Sequence, residues 1–379
     1  MFVQRDPGEL YLQSVNRLGA STPGAVVAKV DPITLAPIRQ TPLLPTGGHT
    51  WCGAMLTHAN GTLYAVNGRF VHRIAPDCQI LVEQQLPRDL AHNSLLVLPD
   101  GTLLVKDITI TQRGTLTLLD PDTLEIRSRL ELPEPSMGRA AADAGLVTTA
   151  VYTPGVEHLF RIVYDPRSGQ LALDTTWQPR YRQPDPQQGL SWDTCLAAGS
   201  VWLLDNGDTN PVRRIIGAQP VGSEPPGPLG VAWTGSQRLM RFGMHDPEDI
   251  EEQRPFTGAP GFVIAPPVFV PQYKLAIAFD TAQGQLVGLR WSGPGTLSTV
   301  WRRALRNWMQ PMVFPDTGEL VVDDDVGGQD QVVVLDLASG EEKGRVALGS
   351  APSGMFLTPG WARDFYYCTV GTIARVFVR

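Results

Sequence analysis

The chain has 379 residues, is 42% hydrophobic and carries a formal net charge of -7, so it can bury a sizeable core but has no basic field to track a phosphate backbone. Nucleic acid is therefore excluded as a partner class, and 38 Gly and 33 Pro spread along the chain favour many short elements joined by tight turns over a few long helices. The first residues, MFVQRDPGELYLQSV, lack a basic region followed by an apolar one, and no stretch reaches the roughly 18 apolar residues of a membrane span, so a soluble cytoplasmic protein is expected.

In chain order, one figure recurs: an apolar run, a turn, and a second apolar run. It appears as VQRDPGELYLQSV (3–15), THANGTLYAV (57–66), LVLPDGTLLVKD (96–107), ADAGLVTTAV (142–151), AAGSVWLLD (197–205), VPQYKLAIAFD (270–280), FPDTGELVVDD (314–324) and TPGWARDFYYCTV (358–370). A second figure follows most copies, a strand ending in Asp, a short turn and another strand, as in VAKVDPITLAPI, VHRIAPDCQILVE, LTLLDPDTLEIRSRL, RIVYDPRSGQLALD, IAFDTAQGQLVGL and VVVLDLASGEEKGRV. Asp31, Asp77, Asp120 and Asp165 are spaced 46, 43 and 45 apart, the length of one four-stranded propeller blade.

Such a unit cannot bury both faces of its small sheet alone, so its copies must stack. The fold class expected is all-β, a single β-propeller domain over 1–379, with eight four-stranded blades by hairpin count. The first strand is clipped near Met1 and the last blade ends at its third strand in TIARVFVR; seven blades would follow if the chain ends shared one. Period-two alternation in TLTLLD and VVVLDL supports strands, and helix should be scarce. Residues 206–238 read as a long insertion within one blade. Cys52, Cys78, Cys195 and Cys368 lie far apart with no CxxC pair, so reduced thiols are expected rather than a zinc knuckle or a disulfide framework.

The Asp-x-x-x-Gly turns in IAFDTAQGQLVGLRW and VVVLDLASGEEKGRV resemble those of quinoprotein-like and lactonase-type propeller repeats, a likeness at the level of the fold over most of the chain. Quinoprotein repeats usually carry a docking Trp a few residues after the Gly, where this sequence has Gly288 and Gly344. That departure argues against pyrroloquinoline quinone. The lactonase likeness implies a divalent cation, Ca2+ before others, at a mouth of the propeller.

Segments leading into the first strands should bring side chains to that mouth. They read GGHTWCG, LAHNSLL, PSMGRAA, GLSWDTC, RNWMQPM and SAPSGMF. Loops between second and third strands add Asp107, Asp205, Asn206, Asp208 and the acidic run Asp323 to Asp325, read as a solvated loop, with Asp330 beyond it. Mixed acid, base and cation types give a candidate catalytic set of His49, His92, Arg139 and Asp193. Substrate contacts are expected from Trp51, Trp192, Asn307, Trp308 and Gln310, and oxygen ligands for a cation from Asn93, Asp205 and Asn206. The first expectation is a metal-assisted hydrolase of a lactone or ester acting on a small-molecule substrate. The alternatives are a metal-free lyase or isomerase using the same groups, and a non-catalytic propeller with a protein partner.

Overall fold

The computed structural model describes all residues except 16–23, 50–51, 146, 183–190, 207–235, 259–260, 264, 349–355, 370–371 and 379. The insertion expected at 206–238 thus lies mostly outside the described residues, as do Trp51, Asp208 and Ser353.

The first sheet contains β1 (Phe2–Gln4), β2 (Leu10–Val15), β3 (Ala25–Val30) and β4 (Pro37–Gln40). The second has β5 (Cys52–Thr57), β6 (Leu63–Asn67), β7 (Phe70–Ile74) and β8 (Ile80–Gln85), and the third β9 (His92–Val97), β10 (Leu103–Asp107), β11 (Thr115–Leu119) and β12 (Ile126–Glu131). The fourth has β13 (Ala141–Ala144), β14 (Thr149–Pro154), β15 (Leu159–Asp165) and β16 (Gln170–Leu173). The fifth follows with β17 (Ser191–Ala197), β18 (Ser200–Asp205), β19 (Arg238–Gly243) and β20 (Ile250–Gln253), and the sixth with β21 (Val268–Val270), β22 (Leu275–Asp280), β23 (Gln285–Arg290) and β24 (Ser298–Arg303). The seventh has β25 (Met312–Phe314), β26 (Glu319–Val326), β27 (Gln329–Asp336) and β28 (Glu342–Ala347), and the eighth three strands, β29 (Phe356–Pro359), β30 (Asp364–Cys368) and β31 (Ile373–Phe377). In every sheet the strands lie in chain order, and the fold is an eight-bladed β-propeller. The only helical element among the described residues is a 3-10 turn, Pro271–Tyr273.

Two compact units share the chain: Met1–Gly155 with Phe160–Thr175, and Val156–Leu159 with Thr176–Arg379. Second strands such as β6, β10, β18 and β22 are buried on both faces and read as continuous apolar runs. In the first unit Leu104, Leu116, Leu118, Phe160 and Ile162 form one core cluster, and Tyr64, Val66, Val71, Leu103 and Val105 another. In the second unit Trp202, Ile277, Phe279, Leu320 and Val333 belong to a cluster running through three sheets.

The Asp turns after the third strands close as Asx turns: Asp31 Oδ1 accepts from the Ile33 and Thr34 N–H groups at 2.9 and 2.7 Å, and Asp336 Oδ1 from Ala338 and Ser339 at 3.1 and 2.9 Å. Two expectations change. The turn at Asp280 joins a second strand to a third, not a third to a fourth, because Val270↔Leu275 pairing makes LAIAFD the second strand of its sheet. The run Asp323 to Asp325 is strand and not a solvated loop, with Asp323 and Asp324 buried and Asp325 half-buried. The β26–β27 ladder continues to Val326↔Gln329 and turns on Gly327 and Gly328 at φ 64° and 82°, the two positive φ values that a tight two-residue hairpin needs.

The glycine at 288 also finds its reason. A Cβ there would lie 2.3 Å from Trp301, its register partner on β24. Trp301 Nε1 donates to Leu337 O at 3.1 Å in the next sheet. Trp301 thus ties the fourth strand of this sheet to the next sheet, and Gly288 makes room for it.

Candidate functional site

Within the second unit, the second strands of the fifth, sixth and seventh sheets carry aspartates that clamp segments leading into their own sheets: Asp205 and Asp280 at the ends of β18 and β22, and Asp323 and Asp324 within β26. Asp205, buried at the end of β18, accepts from Arg182 in the lead-in to β17 and from Arg238 on β19, Nε of the latter at 3.1 Å. Asp280, at the end of β22, accepts the Phe262 N–H at 3.1 Å and the Gln283 N–H at 3.2 Å. Asp323 accepts the Trp308 and Met309 N–H groups at 2.9 and 2.8 Å, and Asp324 the Arg306 N–H at 2.9 Å.

The residue after the aspartate reaches one sheet further. Asn206 donates Nδ2 to Val263 O at 2.7 Å and accepts the Val263 N–H at 2.8 Å, while Gln237 Nε2 donates to Asn206 Oδ1 at 3.0 Å. Thr281 Oγ1 donates to Asn307 O at 2.5 Å. Asn307 in turn donates Nδ2 to Met309 O at 2.6 Å and accepts the Asp323 N–H at 3.1 Å. A buried amide or hydroxyl placed this way satisfies backbone groups that no strand ladder reaches.

Two acids in this unit are different. Burial pushes the Asp280 carboxyl up to about 6, against which the Phe262 and Gln283 N–H groups act, and Oδ2 has no hydrogen-bond partner among the described residues. Asp330 is likewise pushed up to about 6 by burial, its Oδ2 accepting from the Tyr367 hydroxyl and its Oδ1 without a partner among the described residues. Asp323 stands well above the usual carboxylate range through burial and the neighbouring Asp330 charge. Carboxyls near 6 can exchange protons close to neutral pH.

In the first unit the same clamp recurs at Asp107, which accepts from Arg88 at 2.7 Å and from the Thr115 N–H at 2.9 Å. His92 opens β9 fully buried, with Nδ1 3.0 Å from Leu90 O and 3.1 Å from Gly68 O. Two carbonyls at one nitrogen fix the Nδ1–H tautomer. Burial depresses the ring to about 4. Asn93 Nδ2 donates to Met137 O at 2.7 Å, and Arg139 Nε donates to Asn93 O at 3.0 Å, so the arginine braces the β9 backbone. His49 is half-buried, with Nε2 3.3 Å from Asp89 Oδ1.

Of the remaining residues singled out from the sequence, Asp193 and Trp192 are buried on β17, Trp192 Nε1 without a partner among the described residues. Trp308 packs edge-on to Phe262 at 6.4 Å between ring centres, and Gln310 is exposed. Asp205 and Asn206 do not fit a divalent cation: the carboxylate faces two guanidinium groups, and the amide oxygen accepts two N–H groups. Sequence reasoning gave no weight to Asp280, Gln237, Thr281 or Tyr367. For Asp280 and Thr281 the signal was the Asp-Thr pair closing a second strand; Gln237 and Tyr367 carried none.

No family model matches the chain, and no curated protein matches it in sequence. Solved structures share its fold. A Dos1 propeller is 12% identical, with 99% of this chain and 91% of that one covered and a TM-score of 0.64. Chaetomium thermophilum Sqt1, bound to the N-terminus of the ribosomal protein L10, is 13% identical over 96% and 92% with a TM-score of 0.63. The periplasmic gluconolactonase PpgL of Pseudomonas aeruginosa is 14% identical over 90% and 98% with a TM-score of 0.57. At these identities the likeness establishes the propeller fold, lactonase-type propellers among its relatives in shape.

Proposed function

We propose that the protein is a binding propeller whose ligand is another protein. The observation that carries this reading is the fate of the polar groups beside the first strands. Asp205, Asn206, Asn307, Asn93 and Asp107 are engaged in buried bonds to backbone or arginine, which is architecture rather than a reaction site. The Sqt1 structure, a propeller holding the end of another protein, lends support by shape alone.

A second reading keeps the small-molecule enzyme, a hydrolase of an ester or lactone. Asp280 and Asp330 favour it, since each is held at about 6 and keeps one buried oxygen unbonded among the described residues. One experiment separates the two. The purified full chain is tested by calorimetry against proteins it retains from its own cells, and in parallel against lactone and ester substrates. A purified partner that binds stoichiometrically, with no turnover, supports the binding reading. Turnover that disappears in Asp280→Asn or Asp330→Asn, with no protein partner reconstituted, would overturn it.

A further inference from the structure

Two buried oxygens between the fifth and sixth sheets have no hydrogen to accept among the described residues. They are Asp280 Oδ2 and Gln237 Oε1, and both side chains are fully buried. Both residues border Gly261, in the segment leading into the sixth sheet. A Cβ there would lie 2.8 Å from Asp280 Oδ2 and 2.7 Å from Gln237 Cβ, so the carboxyl stands within reach of the glutamine side chain. Glycine is what lets the two come so close.

The amide at 237 cannot turn to fill the gap, because backbone two steps away sets its orientation. The Val263 N–H donates to Asn206 Oδ1 at 2.8 Å and Asn206 Nδ2 donates to Val263 O at 2.7 Å, which fixes the oxygen end of the asparagine. Gln237 meets that oxygen at 3.0 Å and must present Nε2 to it. Oε1 is what remains for the other side, and an ionised carboxylate also offers only acceptors. The two oxygens thus lack one hydrogen between them, and leaving buried acceptors unmet is costly.

The contacts of Asp280 are neutral. Oδ1 accepts from the Phe262 and Gln283 N–H groups, and residues 261–263 and 281–285 carry no charged side chain. In the fifth sheet Asp205 is taken up by Arg182 and Arg238. Towards the seventh, Arg306 Nε lies 3.7 Å from a Cβ placed at Gly284, and Asp323 and Asp324 hold N–H groups of their own lead-in. Burial raises the Asp280 carboxyl, with no charged side chain among the causes.

We propose that Asp280 carries a proton on Oδ2 and donates it to Gln237 Oε1, closing a ring of hydrogen bonds through Asn206 and Val263 that latches the fifth sheet to the lead-in of the sixth. The ring stands where the chain leaves the fifth sheet after β18 and returns to it before β19, so one proton ties the ends of both strands to the neighbouring sheet. The bond exists only in the protonated form and therefore raises the folded pKa. Its contribution is present at acid pH and is lost as pH rises through about 6, where the ring opens at this one link. The latch does not depend on whether the propeller has a protein partner.

The test compares melting temperatures of the full chain and its variants at pH 5 and pH 8. Gln237→Met keeps length and removes Oε1. It also removes the bond to Asn206 at every pH, so the difference between the two pH values reports the proton. The variant is expected to lose more melting temperature at pH 5 than at pH 8. In an Asp280→Asn background, whose side-chain N–H replaces the acid hydrogen, the same change should cost equally at both. Carboxyl 13C titration should place the Asp280 midpoint at about 6, lower it by about half a unit or more in Gln237→Met, and leave it unmoved in Arg306→Gln. The Val263 amide, corrected for its intrinsic rate, should exchange about fivefold more slowly at pH 5 than at pH 8, and Asp280→Asn should abolish that difference. A cost of Gln237→Met that is the same at both pH values, or a midpoint indifferent to it, would overturn the proposal. If Gln237→Met does not fold, the original chain and Asp280→Asn decide: a midpoint below pH 5, or Val263 protection independent of pH, overturns it equally.

Discussion

The fifth and sixth sheets use the same device with opposite electrostatics. Both second strands end on a buried aspartate that clamps its own lead-in, Asp205 in one and Asp280 in the other. Asp205 faces Arg182 and Arg238, whereas Asp280 meets only neutral N–H groups among its described partners and is pushed up to about 6 by burial. The same letter at the same place in the repeat is an ion-paired anion in one sheet and an acid held near 6 by burial in the next. Counter-charge, not position, decides which.

The largest effect expected is at Asp205. Removing one partner of a buried ion pair strands the other, at a cost of about 3–5 kcal/mol. Asp205→Ala should therefore lose about that much stability in urea unfolding, and Asp205→Asn nearly as much, because both arginines remain without an anion. A loss below about 1 kcal/mol would mean that the arginines find other partners and that the clamp is incidental.

At Asp280 the sign reverses. A folded pKa of about 6 lies above the unfolded value of about 3.9, so between these pH values the native state binds more protons than the unfolded chain. Asp280 favours the fold most below about pH 4, and this contribution is lost as pH rises through about 6. The shift of about two units corresponds to roughly 3 kcal/mol by the usual conversion. Asp280→Asn keeps an oxygen for the Phe262 and Gln283 N–H groups and removes the buried charge. It should raise the melting temperature at pH 8, leave it nearly unchanged at pH 4, and flatten the slope between. A variant destabilised at pH 8 would show that the ionised carboxylate is held by something more than these N–H groups.

Next in size is Asn206, which bonds to both the N–H and the C=O of Val263. Asn206→Ala leaves those groups and Gln237 Nε2 without their partner, and should cost about 1–3 kcal/mol in the same unfolding assay, less than Asp205→Ala. An equal or larger cost would place the weight of the latch on the amide and not on the ion pair.

The repeat was legible because its signals are local: apolar runs, Asx turns such as that at Asp31, and a spacing near 45 residues. Eight hairpins correctly implied eight blades, the last ending at its third strand. The acidic run at Asp323 misled because charge was read as exposure, whereas the Gly327-Gly328 turn carries the ladder past it. The lead-in side chains were identified by place, yet what each one does depends on partners far away in sequence. Arg182 and Arg238 converge on Asp205, and Val263 reaches Asn206, only after the blades have formed. Asp280 was missed for the same reason, since its low polarity of surroundings is a tertiary property.

The smallest difference is at the residue following each aspartate. Asn206 makes two backbone bonds to the next sheet, while Thr281 makes one, from its hydroxyl to Asn307 O. Thr281→Val preserves shape and methyl packing but removes the donor, leaving one buried carbonyl short of a bond, so a cost of about 1 kcal/mol is expected. Combined with Asn206→Ala, the two losses should add to within about 0.5 kcal/mol if each clamp acts on its own pair of sheets. A larger combined loss would mean that the chain Asn206, Val263, Asp280, Thr281, Asn307 behaves as one latch, its aspartates coupled through the lead-ins they hold.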